Sequence, residues 1–286
     1  MAPLPLLIAG PTGAGKSARA LEAAAKGGVI VNADASQTYS GWRILTARPP
    51  AEEEARAPHR LYGHVDPSVR HSVGDWLREA VSVLAEARAA GLRPIFVGGT
   101  GLCFEALTRG LAAIPEPPQE VRDAVEAELA AEGLTALAAR LARHDPETAA
   151  GTDLRNPRRV ARALEVLRAT GRGLATWRRE TGPPLVSEAE RVVILPERAA
   201  LYARLDARFD GMLEAGALDE ARAMLARGLD PSLPAMKAVG APELFAHLRG
   251  EIGLEEAADR AKQATRNYAK RQMTWIRNRM ADWKRA

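Results

Sequence analysis

Cysteine is all but absent. Cys103 is the only one in 286 residues, so no intrachain disulfide can form and no cysteine cluster can hold a metal, which suits a reducing cytoplasm. The five histidines, His59, His64, His71, His144 and His247, show no H-x-x-x-H spacing, and the spacing therefore argues against a zinc site. No apolar run approaches the roughly 18 residues needed to span a bilayer, and the short apolar run near the N-terminus lacks the basic leader of a secretory signal. The expectation is a soluble, cytoplasmic chain without membrane contact. Internal repeats are missing too, and low complexity is limited to richness in alanine. What is present is 47% apolar residues, enough to build a sizeable core for one large domain or for a domain with an insertion.

The net charge of +4 hides an asymmetry. From Asp259 to Ala286 there are nine Lys and Arg against two Asp, a balance of +7, so the preceding residues together carry −3. Basicity concentrated in one segment is the footprint expected of nucleic-acid contact, although solvated helices are also commonly charged.

Near the start, the apolar run Leu4-Pro5-Leu6-Leu7-Ile8-Ala9 leads directly into Gly10-Pro11-Thr12-Gly13-Ala14-Gly15-Lys16-Ser17, followed by an alanine-rich helical segment. This is G-x-x-x-x-G-K-[ST] in the strand-to-helix context the motif requires. The glycines let successive backbone N–H groups turn inward on an anion, Lys16 adds a point charge, and Ser17 offers a hydroxyl to Mg²⁺ at the positive end of the helix. The stretch reads as a phosphate cradle, and it does not by itself say whose phosphate is held.

Two more buried strands end on polar residues. Gly28-Val29-Ile30-Val31-Asn32-Ala33-Asp34 finishes on a carboxylate, followed by Ala35-Ser36-Gln37. Pro94-Ile95-Phe96-Val97 finishes on Gly98-Gly99-Thr100-Gly101. In a parallel α/β sheet the C-terminal strand ends line the ligand crevice, which places Asp34 and Thr100 beside Lys16. The plainer alternatives are a helix N-cap for Asp34 and a capping threonine in a turn for Thr100. Residues 41–72, broken by Pro49, Pro50, Pro58 and Pro67, read as a long loop. A helix then opens near Val73.

Composition changes after Leu111. Residues 119–182 carry only helical patterns, and Glu190-Arg191-Val192-Val193-Ile194-Leu195 resumes the strand pattern. The fold expected is therefore α/β, a P-loop NTPase-like parallel sheet flanked by helices. Residues 1–112 and 188–286 form its core, and residues 113–187 an all-helical insertion. Within the insertion, Arg155-Asn156-Pro157-Arg158-Arg159-Val160-Ala161-Arg162 sets four arginines at a helix start, either a phosphate clamp or a solvated face. Leu201, Leu205, Phe209, Met212 and Leu213 follow helical spacing, and a final helix is read from Leu254 nearly to the chain end. On a wheel advancing about 100° per residue, Lys262, Arg266, Lys270, Arg277 and Lys284 form one basic stripe. Ala261, Ala264, Tyr268, Trp275, Ile276 and Trp283 gather on the arc expected to be buried. The stripe fits tracking of a phosphate backbone.

Further motifs occur in order along the chain: Thr46-Ala47-Arg48-Pro49, Arg159-Val160-Ala161-Arg162-Ala163-Leu164-Glu165 and Thr265-Arg266-Asn267-Tyr268-Ala269-Lys270-Arg271-Gln272-Met273-Thr274-Trp275. With the cradle, Asn32–Gln37 and Gly98–Leu102, they make the chain resemble the tRNA dimethylallyltransferase (IPP transferase) family over almost its whole length. The cradle is shared by all P-loop proteins; the last motif is far more specific. The resemblance implies transfer of a dimethylallyl group from dimethylallyl diphosphate, with Mg²⁺, to the N6 amine of the adenosine 3′-adjacent to the anticodon. It also implies a helical insertion that grips the tRNA anticodon stem-loop, and a monomer is expected. It places the diphosphate in residues 10–17 and makes Asp34 the base. It implies tRNA contacts at Asp34, Ala35, Ser36, Gln37, Thr100, Arg122, Arg158, Arg159, Val160, Ala161 and Arg162, beside Arg266 and Lys270 of the stripe. The chain departs from the family at Ala35 for Ser, Arg48 for Lys, Cys103 for Tyr and Asn156 for Asp. None of these removes a charge from the cradle or the base itself.

The residue types suit that chemistry. An adenine amine is a poor nucleophile, so a carboxylate must take its proton as the new bond forms. The departing diphosphate gains charge that Lys16, backbone N–H groups and Mg²⁺ on Ser17 stabilise, and Thr100 can hydrogen-bond the bridging oxygen. The base must leave its stack to reach the pocket. The alternative is a small-molecule or nucleotide kinase whose cradle binds ATP, against which stands the basic stripe. A non-enzymatic RNA-binding module is the third reading, and the intact cradle argues against it.

Overall fold

The structure is a computed structural model that describes residues 3–286. The chain forms two compact units, one of residues up to Thr108 together with Leu185–Ala286, the other Arg109–Pro184. The first holds β1 (Leu6–Ala9), α1 (Lys16–Ala24), β2 (Gly28–Asn32), α2 (Ala51–Glu54), β3 (His59–Arg60), α3 (Val73–Ala89), β4 (Arg93–Gly98) and α4 (Gly101–Arg109). The second holds α5 (Gln119–His144), α6 (Pro146–Ala150), α7 (Pro157–Thr170) and α8 (Leu174–Arg179). The chain then returns to the first unit with β5 (Glu190–Val193), α9 (Arg198–Glu214), α10 (Ala217–Leu225), α11 (Ala241–Leu248), α12 (Leu254–Arg279) and β6 (Lys284–Arg285).

All six strands are parallel, in the order β3-β2-β4-β1-β5-β6. β1 lies inside the sheet, with Leu6 opposite Ile95 on one side and Glu190 on the other, and its four residues are all buried. That is why it reads as an unbroken apolar run and not as an alternation. Side chains still alternate between faces. Leu7, Ala9 and Phe96 pack with Trp76, Phe104 and Trp283, while Leu6, Ile8, Ile95 and Val97 pack with Ala20 and Leu21 of α1. A further core joins the segment around Trp42 and Leu45 to α9, α10, α11 and α12 through Phe209, Met224, Leu244, Phe245 and Ala261. Trp42 is fully buried, and its indole N–H reaches the Ala235 carbonyl at 2.8 Å.

In the helical unit, Val125, Leu137, Leu141, Val160, Leu164 and Leu174 form a separate core. α5 is bent at Gly133, whose φ of +81° a residue with a Cβ adopts only under strain. α7 starts as its sequence suggests. Asn156 accepts from the Arg159 N–H at 3.3 Å, Pro157 occupies the first turn, and Gly171 ends the helix in the left-handed region.

Three expectations need correction. Residues 41–72 are not wholly loop, because they contain α2 and the edge strand β3, which pairs with β2 through Ile30 and Val31. A two-residue strand carries no period to recognise. The last helix ends at Arg279, and Lys284 lies in β6 beside Val192, so it cannot extend a stripe on that helix. Finally, β2 stops at Asn32, two residues before Asp34.

Candidate active site

β1 delivers the chain into the glycine-rich turn at the C-terminal edge of the sheet. Gly13 and Gly15 have φ of +74° and +89°, conformations that glycine alone adopts without cost. Gly15 caps α1 with no side-chain hydrogen bond, so the first-turn amides of that helix are left for an anion. Lys16 folds back so that its ammonium donates to the Pro11 carbonyl at 2.8 Å. Burial lowers its pKa to about 8; Asp34 opposes that shift and Arg208 adds to it. The Thr12 N–H is already engaged, donating at 2.9 Å to Gln272 on α12, whose amide nitrogen donates to the Gly99 carbonyl at 3.1 Å. Gln272 is buried, and it ties the cradle to the end of β4. A Cβ on Gly99 would lie 2.0 Å from the Gln272 amide nitrogen, and one on Gly98 2.0 Å from the Ala33 carbonyl. Both glycines are there for close approach.

Asp34 is held by its neighbours on β2. The fully buried Asn32 accepts from the Asp34 N–H at 2.8 Å and donates to the Asp34 and Leu61 carbonyls, both at 2.9 Å. One oxygen of Asp34, Oδ1, accepts from the Ser36 N–H at 3.1 Å and the Ser36 hydroxyl at 2.7 Å, capping the short 3₁₀ turn Ala35–Gln37. The capping reading and the functional one are therefore compatible, since one oxygen caps while the carboxylate lines a cavity. Thr100 steadies the same turn. Its Oγ1 accepts from the Ala35 N–H at 2.9 Å, and its hydroxyl is hydrogen-bonded to Tyr268.

A cavity of about 390 Å³ opens here, lined by the cradle from Thr12 to Ala18 and by Asp34, Ser36, Gln37 and the Thr46–Pro50 segment. Lys16, Ser17 and Asp34 thus face one space, whereas Thr100, Gly10, Pro11 and Ala35 do not line it. The wall from Thr46 is fixed by Gln37, whose amide donates to the carbonyls of Thr46 and Ala47 at 2.9 and 2.7 Å. It is fixed also by Glu220, which accepts the consecutive N–H groups of Arg43, Ile44 and Leu45. A smaller recess of about 50 Å³, with Leu45, Leu205, Phe209, Met212 and Val239 in its walls, shares Thr12, Ser36, Arg208 and Tyr268 with the cavity.

Several lining groups escape sequence reasoning. Arg208 and Arg204 come from α9. Arg208 lies seven residues after Leu201 and four before Met212, on the apolar stripe, and a cation in such a position signals a buried partner. Burial lowers its pKa, with the charges of Asp34 and Glu53 opposing. Tyr268 falls on the buried arc of the α12 wheel, yet it lines both spaces. Asp34's charge first and burial second raise its pKa, so its hydroxyl stays protonated. Burial does the same to the Cys103 thiol, aided by Asp34, which leaves that thiol unreactive.

The basic residues fare unevenly. On α12, Arg266 is bound by both oxygens of Asp206 at 2.6 Å, and Lys262 by Asp210 at 2.6 Å. Two of the five stripe residues therefore serve the seam with α9, where Leu201, Leu205, Ala269 and Met273 pack. Lys270 and Arg277 stay exposed, with no ion pair among the described residues. In the helical unit, Arg158 and Arg159 are exposed, Arg162 approaches Glu165 at 3.6 Å, and Val160 is fully buried in the core. The Val160 side chain has no face to offer RNA. Arg122 is occupied by Glu116 and Gln119.

The IPP transferase family profile matches residues 37–279. A tRNA dimethylallyltransferase of Cereibacter sphaeroides is 59% identical over 282 residues, covering 98% of this chain and 87% of that protein. One from a Bradyrhizobium species is 56% identical over 281 residues, covering 97% and 91%. Among solved structures, the full-length tRNA isopentenylpyrophosphate transferase of Bacillus halodurans superposes with a TM-score of 0.71 at 34% identity, covering 100% of this chain and 90% of that one. A eukaryotic dimethylallyltransferase captured acting on tRNA superposes with a TM-score of 0.81 at 28% identity, covering 95% and 69%. The profile covers the chain from Gln37 to the last helix, the relatives extend the agreement over nearly its whole length, cradle and carboxylate included, and the chain belongs to the IPP transferase family of tRNA dimethylallyltransferases.

Proposed function

We propose that this enzyme transfers a dimethylallyl group from dimethylallyl diphosphate to the N6 amine of the adenosine 3′-adjacent to the anticodon of tRNA, giving N6-dimethylallyladenosine. The observation that carries the reading is the shared cavity: a phosphate cradle and a fixed carboxylate face one space, with an apolar recess opening beside it. The cradle takes the diphosphate on the amides of residues 13–17, with Lys16, Arg204 and Arg208 as countercharges. The recess takes the five-carbon tail. Asp34 receives the proton of the adenine amine through the oxygen that Ser36 leaves unclaimed. Ser36 holds the other oxygen and Asn32 the backbone of the same residue, so little reorganisation accompanies the reaction.

As the allylic carbon–oxygen bond breaks, negative charge collects on the diphosphate, and cations fixed in a partly dry site stabilise it more than water would. Thr100 lies outside the cavity lining in the free protein, and its part in this proposal requires substrate to bring the bridging oxygen within its reach. Its oxygen already accepts from Ala35, so its proton is the part it can give, to Tyr268 in the free protein and to the bridging oxygen once substrate is seated. Mg²⁺ fits the donor set, because the Ser17 hydroxyl lines the cavity beside the cradle and a hard cation binds through one or two protein oxygens plus substrate phosphates. When bound, it adds charge neutralisation on the diphosphate. Arg158 and Arg159, and Lys270 and Arg277, are the proposed contacts to the anticodon stem-loop. No helix among the described residues is long and apolar enough to cross a membrane, and we place the enzyme in the cytoplasm as a monomer.

The test is incubation with labelled dimethylallyl diphosphate, Mg²⁺ and unmodified tRNA, without ATP, followed by nucleoside analysis. Label should appear in N6-dimethylallyladenosine, with ATP at most a weak competitor. Consumption of the ATP γ-phosphate at catalytic rates with unlabelled tRNA would establish the kinase reading instead.

A further inference from the structure

His64, His71 and Glu79 meet on a part of the first unit that contributes to neither cavity. The Nε2 atoms of both imidazoles point at the same carboxylate oxygen, Glu79 Oε2, at 3.0 Å for His64 and 3.1 Å for His71. The two rings stand edge to face with centroids 5.7 Å apart, and one ligand atom from each of the three residues lies within 4.8 Å of the others. We propose that these three side chains form a binding site for a divalent transition metal of the zinc class.

Two neutral imidazole nitrogens and a carboxylate oxygen are the borderline donor set that Zn²⁺, Co²⁺ and Ni²⁺ prefer and that Mg²⁺ does not. Ligands about 2.0–2.1 Å from a tetrahedral centre stand roughly 3.3 Å from one another. The observed 3.0 and 3.1 Å need only a few tenths of an ångström of opening. On binding, each Nε2 gives up its hydrogen bond to Glu79, and the ring takes the tautomer with its proton on Nδ1. The fourth position is left to water. The cluster is also anchored. Glu79 stands on α3, whose start is fixed by the reciprocal Ser72–Asp75 capping box. The His71 side chain is nearly buried, and its backbone N–H donates to the Tyr39 hydroxyl at 3.3 Å. His64 lies on the segment whose Leu61 carbonyl accepts from Asn32 and whose Tyr62 lines the large cavity. A metal here fastens residues 61–71 to α3 and so stiffens one wall of the cavity. Spacings of six and seven intervening residues hide the trio from a search for H-x-x-x-H.

The test uses the full chain, stripped with a chelator and titrated with ZnCl₂ and, separately, CoCl₂. One equivalent of zinc should bind, and Co²⁺ should give the visible absorption of a four-coordinate site that zinc bleaches. The thermal midpoint should rise with zinc. In E79Q zinc affinity should fall at least tenfold, and in the His64→Ala, His71→Ala double variant the equivalent should be lost while circular dichroism and dimethylallyl transfer persist. Zinc uptake of the same stoichiometry and affinity in E79Q and the double variant, or no uptake by the parent protein, overturns the proposal. If the double variant does not fold, E79Q alone decides.

Discussion

The large cavity and the arginine-bearing start of α7 are both rich in charge, and they treat it in opposite ways. In the cavity, Lys16, Arg208 and Asp34 are drawn out of water far enough that the lysine and arginine pKa values fall, chiefly through burial. On α7, Arg158 and Arg159 extend into solvent from a helix whose apolar side is packed separately. Charge that must act on a breaking bond gains from low dielectric and fixed geometry. Charge that reads a phosphate backbone works by releasing counterions and is best left hydrated. The comparison can be broken by substitution, because the two kinds of charge should fail differently.

The largest effect is expected at Asp34. Asp34→Asn keeps the shape and the Ser36 cap but removes the proton acceptor, and the transfer step should slow by on the order of 10²-fold or more, with tRNA affinity and thermal midpoint little changed. Single-turnover kinetics decide it. A near-parental rate would remove Asp34 from the chemistry and leave it a turn-capping residue.

Lys16 comes next, and it supplies a pH signature that no surface cation has. Its pKa of about 8 in the free protein means that the cradle keeps its full charge below that value and loses it as pH rises through it. Diphosphate affinity should therefore be flat below pH 8 and fall by up to about tenfold per unit above it, with proton uptake on binding in that window, because a bound anion raises the lysine pKa. Calorimetry in buffers of different ionisation enthalpy measures the uptake. Lys16→Ala should lose the pH dependence along with most of the turnover while tRNA still binds, and a collapse of tRNA binding in that variant would mean the cradle holds something else.

How much of this the sequence discloses depends on how local each feature is. The cradle is eight consecutive residues, and Asp34 and Thr100 follow from the rule that parallel strands present their C-terminal ends on one edge. Arg208, Tyr268 and Gln272 depend on how α9 and α12 lie against the sheet. A wheel drawn for one helix holds no record of its neighbour, so it puts Tyr268 in the core and Arg266 in solvent. Asp206 and Asp210, which take up Arg266 and Lys262, stand on α9, far upstream of both. β3 and β6, at two residues each, are too short for any periodicity and exist because a neighbouring strand offers its open edge.

For α7, replacing Arg158 and Arg159 together by Gln should weaken tRNA binding at every salt concentration. The log–log salt slope should fall by about 0.7 to 0.9 for each phosphate no longer neutralised, and turnover at saturating tRNA should hold. A lower maximal rate with an unchanged slope would place these arginines among the groups that position the reacting adenosine, not among the hydrated cations.

The smallest effect is the sharpest, since it divides a single helix. Lys270 and Arg277 on α12 have no ion pair among the described residues and face water, whereas Arg266 is one-quarter exposed and bonded to both oxygens of Asp206. Lys270→Gln with Arg277→Gln should therefore lower the salt slope by about 0.7 to 0.9 for each of the one or two phosphates they neutralise, without moving the thermal midpoint. Arg266→Gln should leave the slope unchanged and instead lower stability by about 0.2–1 kcal/mol, the scale of a partly exposed ion pair, because Asp206 then has no cation on the α9 seam. Measuring both quantities on both variants gives four numbers that only one assignment satisfies. If Arg266→Gln lowers the salt slope as much as the Lys270 and Arg277 pair does, then Asp206 yields its arginine when RNA arrives. In that case the seam between α9 and α12 is part of the RNA-binding surface, not of the scaffold.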